Sequence, residues 1–165
     1  MPILDLKSFE VISRSPDQTR RVGMRLGSLL GPGDIVGLVG DLGSGKTTLV
    51  QGISAGWGSL DLASSPTFIL INVYRRTGAE RLFHLDAYRL QGDQEALELD
   101  LDSYIEQGAL VVEWADRIQG ALPKERLWVT LRWVDNEQRD IVFSAAGDHY
   151  LNLLSALRKR IYGVS

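Results

Sequence analysis

The chain has no cysteine among its 165 residues, which excludes disulfides, thiolate metal sites and thiol nucleophiles. It also has no apolar run approaching the ~20 residues that a membrane-spanning helix requires, so no membrane contact is expected. Basic charge is scarce: 18 Lys and Arg against 21 Asp and Glu give a formal net charge of −3. Such a balance exerts no global pull on nucleic acid or an anionic membrane, and any RNA involved would need basic surface from elsewhere. The lysines are only Lys7, Lys46, Lys124 and Lys159, and none sits in the N/T-K-x-D pattern of guanine recognition. The transporter signature L-S-G-G-Q is missing, and no arginine-dense lid of the small-kinase type stands out. The start, Met1-Pro2-Ile3-Leu4-Asp5, has neither a basic flank nor a signal-peptide core, so a cytoplasmic protein is expected. Hydrophobic (44%) and charged (24%) fractions are ordinary and fit one globular domain over residues 1–165.

What is present is more specific. Gly40-Asp41-Leu42-Gly43-Ser44-Gly45-Lys46-Thr47 fits G-x-x-x-x-G-K-[ST]. It follows the apolar run Ile35–Val39 and precedes a helical run from Thr48 to Gly56. This strand–loop–helix context is what a phosphate-binding loop requires. Glycines let consecutive amides turn inward, and the helix N-terminus adds partial positive charge. Lys46 is expected to reach the β- and γ-phosphates, and the Thr47 hydroxyl to ligate Mg²⁺. A nucleoside triphosphate is the ligand implied, with adenine favoured over guanine by elimination.

The surrounding pattern reads as a P-loop NTPase-like three-layer α/β fold with a mixed sheet. Residues 3–12 suggest an edge strand. Ser15-Pro16-Asp17-Gln18 has the form of a capping box, opening a helix that buries Val22, Leu26 and Leu29 and stops at Gly31-Pro32-Gly33. Runs 68–75 and 81–86 predict an antiparallel hairpin. Residues 93–106 predict one acidic helix with Leu97, Leu101 and Ile105 on one face. Ala109–Glu113 reads as a strand buried on both sides, and 128–134 with 141–145 as a hairpin across Asp135-Asn136-Glu137. A last helix from about Asp148 buries Tyr150, Leu154, Leu157 and Ile161.

A phosphate-binding loop needs an acid at a strand end to hold Mg²⁺ directly or through water. Asp86 and Glu113 each close an apolar strand and could divide the work, one on the metal side and one orienting or deprotonating the attacking water. Spacing alone does not say which does which.

The series Gly40–Thr48, Ser65-Pro66-Thr67-Phe68, His84-Leu85-Asp86-Ala87-Tyr88-Arg89-Leu90 and Glu113-Trp114 closely resembles the bacterial TsaE (YjeE) family. The likeness runs from the first helix to the C-terminal hairpin. Departures are mild, such as Ser44 where Ala is usual, and none removes a polar group that the chemistry needs. The resemblance implies a small ATPase for threonylcarbamoyladenosine modification of tRNA, docking on a heterodimer of TsaB and TsaD and touching tRNA indirectly. By it, Asp41, Gly43, Ser44, Gly45, Lys46, Thr47 and Thr48 cradle ATP, and Thr47 and Glu113 serve Mg²⁺. Asp86 acts near the γ-phosphate and metal, Thr67 senses the γ-phosphate, and Trp114 serves the nucleotide site or a partner. The start of the first helix, at Gln18 and Thr19, is placed beside the adenine on position alone. A small-molecule kinase with Asp86 as base, or a nucleotide-gated binding module, are the alternative functions.

Other features have plainer readings. His84 reads as a strand residue that packs or hydrogen-bonds locally, and Arg89 as an ion-pair partner. The acids between Asp93 and Asp102 read as a solvated face, with partner docking as the alternative. Arg158-Lys159-Arg160 complements a helix dipole, Arg14, Arg20, Arg21 and Arg25 are general surface, and Trp57, Trp128 and Trp133 are packing residues.

Overall fold

A computed structural model of the chain describes residues 6–64 and 71–163. The elements run β1 (Ser8–Ser13), α1 (Pro16–Gly27), β2 (Ile35–Val39), α2 (Lys46–Trp57), β3 (Ile71–Arg75), β4 (Arg81–Asp86), α3 (Asp93–Leu97), α4 (Leu101–Gln107), β5 (Gly108–Glu113), a 3₁₀ segment (Ala115–Ala121), β6 (Arg126–Trp133), β7 (Arg139–Ala146) and α5 (Asp148–Tyr162).

Among the described residues, seven strands form one sheet in the order β1-β7-β6-β2-β5-β4-β3. The pairs β2–β6, β2–β5 and β5–β4 are parallel, while β1–β7, β6–β7 and β3–β4 are antiparallel. The sheet is therefore mixed, with both expected hairpins in place. β5 lies between β2 and β4 and every one of its residues is buried, as a continuous apolar run between two parallel neighbours should be. One face carries α1, α2 and α5 over Val36, Leu38, Val111 and Phe143. The other carries α3, α4 and the 3₁₀ segment over Phe83, Leu85, Leu110 and Val112. These are three layers with a core on each side of the sheet.

α1 starts as its sequence dictates. The Ser15 hydroxyl accepts from Gln18 N–H at 3.1 Å, and the Gln18 amide oxygen accepts from Arg14 N–H at 2.7 Å. Such a cap contributes about 1 kcal/mol. α1 then lies against α2 through facing glycines spaced one turn apart. A Cβ on Gly23 would stand 2.5 Å from Leu49 O, and one on Gly27 would stand 2.0 Å from Ile53 O. From the other helix, Cβ atoms on Gly52 and Gly56 would stand 2.1 Å from Arg20 O and 1.9 Å from Met24 O. The two backbones touch, leaving no room for a side chain between them.

Several expectations need correction. The first strand is 8–13 rather than 3–12, with Leu6 and Lys7 in a turn, and residues 68–70 of the third strand lie outside the described residues. The acidic helix is two helices, broken where Asp100 adopts φ +52, a conformation that Asp tolerates better than most residues. The break turns Leu101 into the core and leaves Leu97 63% exposed, so these leucines do not share a face. Trp133 is 54% exposed at the end of β6 and does not pack as expected. Trp57 is buried, with the Arg76 guanidinium 4.3 Å from its ring. The basic end of α5 does more than complement a dipole: Arg158 donates to Ser8 O at 3.1 Å and Arg160 to Ser28 Oγ at 2.7 Å.

The helix contact yields a prediction. Gly27→Ala gains about 1 kcal/mol of helix propensity but forces overpacking, which costs about 1–3 kcal/mol. Its denaturant midpoint should fall below that of Gly31→Ala, where a Cβ meets nothing within 4 Å. Equal midpoints would show that α1 and α2 separate without penalty.

Candidate functional site

The turn after β2 is shaped by glycine where the backbone needs it. Gly43 and Gly45 have φ of +81 and +104, which side-chain-bearing residues rarely adopt. Ser44 N–H closes the turn onto Asp41 O at 3.0 Å. The N-cap of α2 is Gly45, which has no side chain to compete for the first amide donors of that helix, where the dipole favours an anion.

Lys46 opens α2 and is 5% exposed. Its ammonium donates to Gly40 O at 2.5 Å, Asp41 O at 2.9 Å and Ser44 Oγ at 3.4 Å. The Trp114 ring centroid lies 4.1 Å from Nζ. Burial pulls the Lys46 ammonium below its usual pKa, opposed by the charges of Glu113, Asp41, Asp86 and Asp116. Trp114 itself sits at φ +56, a strained backbone conformation for a bulky residue. It faces Tyr88 at 4.9 Å between ring centroids, with the Arg117 guanidinium 5.0 Å from the Tyr88 ring.

The two strand-end acids are neighbours. Asp86 of β4 and Glu113 of β5 are directly in register, so both side chains leave the same face at the same height. Glu113 is 3% exposed. Its Oε1 accepts from the Thr47 hydroxyl at 3.2 Å, and its Oε2 lies 2.6 Å from His84 Nε2. Asp86 accepts from Tyr88 N–H at 3.0 Å. Desolvation raises the Asp86 carboxyl above the ordinary carboxylate value, with Glu113 adding to the effect while Tyr88 N–H, His84 and Lys46 oppose it.

These groups line a cleft of about 360 Å³. Its walls are Ser15, Pro16 and Thr19 at the start of α1, Leu42, Gly43 and Gly45 to Thr48, Asp86, Tyr88, Glu113 and Trp114, and Asn136, Glu137 and Arg139 of the β6–β7 hairpin. Of the residues singled out from sequence, Gly43, Gly45, Lys46, Thr47, Thr48, Asp86, Glu113 and Thr19 all border this space. Asp41 and Ser44 do not: Ser44 is fully buried, and both hold Lys46 from behind. The Thr19 hydroxyl already pairs with Ser13 Oγ at 2.7 Å, and Gln18 is engaged in the helix cap. Thr67 lies outside the described residues. His84 is fully buried and hydrogen-bonded at both ring nitrogens, so its local role is with Glu113. The sequence reading missed Tyr88, Asn136, Glu137 and Arg139. The aromatic beside Asp86 was a legible signal, but nothing local to the hairpin tip announces that it meets a loop nearly a hundred residues away.

Fold and site together define the P-loop NTPase-like class of three-layer α/β proteins, with hairpins added to a parallel centre. Within that class the chain belongs to the TsaE family: the family model described as "Threonylcarbamoyl adenosine biosynthesis protein TsaE" matches residues 13–141. The "tRNA threonylcarbamoyladenosine biosynthesis protein TsaE" of Bacillus subtilis is 37% identical over 155 residues, 93% of this chain and 96% of that one. Its namesake from Streptomyces coelicolor is 43% identical over 110 residues, 66% of this chain and 74% of that one. The crystal structure of Bacillus subtilis YdiB superposes with a TM-score of 0.78 at 33% identity, covering 94% of this chain and 97% of that one. Among the described residues, no helix is long and apolar enough to cross a membrane.

The Asp86 environment has a measurable consequence. Its folded pKa is raised, so stability is lost as pH climbs from the ordinary carboxylate value through the folded one, and the full penalty stands above that window. Asp86→Asn should therefore melt higher than wild type at neutral pH, with the gain vanishing in acid. Thermal melts from pH 3 to pH 8 would test this, and a gain that grows in acid would contradict the assigned cause.

Proposed function

We propose that the chain binds ATP with Mg²⁺ in this cleft and hydrolyses it, in support of tRNA threonylcarbamoyladenosine modification together with a TsaB–TsaD heterodimer. The observation that carries the reading is the juxtaposition of Thr47, Glu113 and Asp86 at the mouth of a glycine-rich loop whose lysine is already buried. The family membership supports the pathway, and the cleft supports the chemistry.

The donor set suits Mg²⁺. Among the described residues there is no cluster of three or more His, Asp or Glu side chains placed to hold a metal. Mg²⁺ is ordinarily held by one or two protein oxygens, with water and phosphate supplying the rest. Thr47 and Glu113 would hold it from the protein side. When bound, it would neutralise charge developing on the phosphate oxygens.

The chain's own residues would do the remainder. Loop amides and the α2 N-terminus receive the phosphates. Lys46 exchanges its carbonyl partners for phosphate oxygens, and because it is desolvated its charge is felt strongly there. Asp86, less acidic than an ordinary carboxylate, is suited to orient the attacking water and accept its proton. The space between α1 and the β6–β7 hairpin takes the adenosine end, bordered by Ser15, Pro16, Thr19 and Asn136.

Steady-state ATP hydrolysis, with and without TsaB–TsaD and tRNA, tests the proposal. Hydrolysis alone should be weak and rise with the partners. Lys46→Ala and Glu113→Ala should each lower kcat/KM by on the order of a hundredfold or more, as when an electrostatic contact to the transition state is removed. A rate that depends on an added small acceptor instead would point to a kinase. Intact function in Glu113→Ala beside a dead Lys46→Ala would point to a nucleotide-gated binding module.

A further inference from the structure

Behind Glu113 runs a chain of polar groups, with His84 and Tyr74 buried at its centre, that the proposed chemistry does not use. The register of β3 with β4, and of β4 with β5, puts Asn72, Tyr74, His84 and Glu113 on one face of the sheet. His84 Nε2 lies 2.6 Å from Glu113 Oε2, and His84 Nδ1 lies 2.9 Å from the Tyr74 hydroxyl. Beyond Tyr74 the chain reaches backbone. Ser64 N–H donates to Tyr74 Oη at 3.2 Å, Ser64 O accepts from Asn72 Nδ2 at 2.8 Å, and the same carbonyl lies 3.1 Å from Tyr74 Oη. His84 and Tyr74 are 0% and 3% exposed, and burial raises the Tyr74 phenol above its usual pKa.

One ring nitrogen of His84 faces a Glu113 carboxylate oxygen, and the other faces the Tyr74 hydroxyl, which also reaches Ser64 O. Glu113 is engaged at both oxygens, by Thr47 on one side and by His84 on the other.

We infer that Tyr74 and His84 are a positioning pair that holds the Glu113 carboxylate in its metal-binding orientation and couples that orientation to the backbone at Ser64. The inference deepens the Mg·ATP reading and rests on it. Neither residue reaches the cleft wall, so both act through Glu113. The arrangement is a carboxylate oriented by outer hydrogen-bond partners, whose loss typically weakens metal binding or activity by about tenfold to a hundredfold.

The test separates metal from nucleotide. ADP affinity is measured by calorimetry with and without Mg²⁺, and ATP hydrolysis is followed across a Mg²⁺ titration, for the full chain with its partners. Tyr74→Phe keeps the ring and removes only the hydroxyl, His84→Leu removes both bonds, and His84→Gln can still donate to Glu113. Tyr74→Phe and His84→Leu should raise the half-saturating Mg²⁺ concentration about tenfold and lower kcat, with Mg²⁺-free ADP affinity unchanged. His84→Gln should recover most of the loss. Wild-type Mg²⁺ dependence in Tyr74→Phe and His84→Leu would overturn the inference, as would an equal loss of Mg²⁺-free ADP affinity. A wild type that binds ADP tightly with no response to Mg²⁺ would instead remove the Mg·ATP reading itself.

Discussion

Burying an ionised carboxylate costs several kcal/mol unless hydrogen bonds and opposite charge return it. Glu113, at 3% exposure, is the place where this chain meets that cost, and the compensating groups come from other elements. His84 arrives on β4, and Thr47 and the charge of Lys46 on the first turn of α2. The Glu113 position therefore requires the β4–β5 register, the β2–β5 pairing and the seating of α2 all at once. A one-residue slip in either pairing would turn the acids to the opposite face. It would strand Glu113 in the apolar layer beneath α3 and α4. The parallel centre of the sheet is thus specified twice, by apolar burial along the strands and by a polar cluster at their ends.

The second constraint is the backbone contact between α1 and α2. Without side chains at Gly23, Gly27, Gly52 and Gly56, the helices approach until carbonyls fill the space a Cβ would need. That closeness carries the start of α1, with Ser15 and Pro16, to the rim of the glycine-rich loop. The opposite rim is the β6–β7 hairpin, which reaches the loop because β6 pairs directly with β2. The two rims of the cleft are therefore joined through α2 and β2, and their separation follows from helix packing and strand pairing rather than from the glycine-rich loop itself.

How much of this could be read in advance follows a physical division. The loop, the cap at Ser15 and the buried strand at 109–113 are local patterns, each specified by residues close in sequence, and each is present. Asp86 and Glu113 could be placed at strand ends, but their being level depends on a register between strands separated by α3 and α4. The broken helix at Asp100 was hidden because apolar spacing across 97–105 fits a continuous helix, and only packing against the second core rewards the kink. Trp133 shows the reverse: a large aromatic at a hairpin end needs nothing to pack against. The partnership of Tyr74 with His84 was invisible since it is a cross-strand diagonal, fixed by pairing rather than by any motif. Thr67 and the residues around it lie outside the described part of the chain, so the sensing role implied by the resemblance rests on sequence.

The two acids, interchangeable by spacing, are unlike in their surroundings. Glu113 is buried and clamped by two side chains, one of which is the hydroxyl that would share Mg²⁺ with it. Asp86 accepts from the Tyr88 backbone N–H, borders the cleft and is desolvated enough to raise its carboxyl. A metal-side acid benefits from rigidity and permanent charge, because its task is to hold one geometry through the whole cycle. A group that receives a proton benefits from the opposite, a weaker intrinsic acidity and freedom to follow a moving water. Under the proposed Mg·ATP reading, this asymmetry favours Glu113 for the metal and Asp86 for the water. The distinction arises from what lies behind each residue: a tyrosine–histidine chain behind one, and, among the described residues, the turn into Tyr88 behind the other.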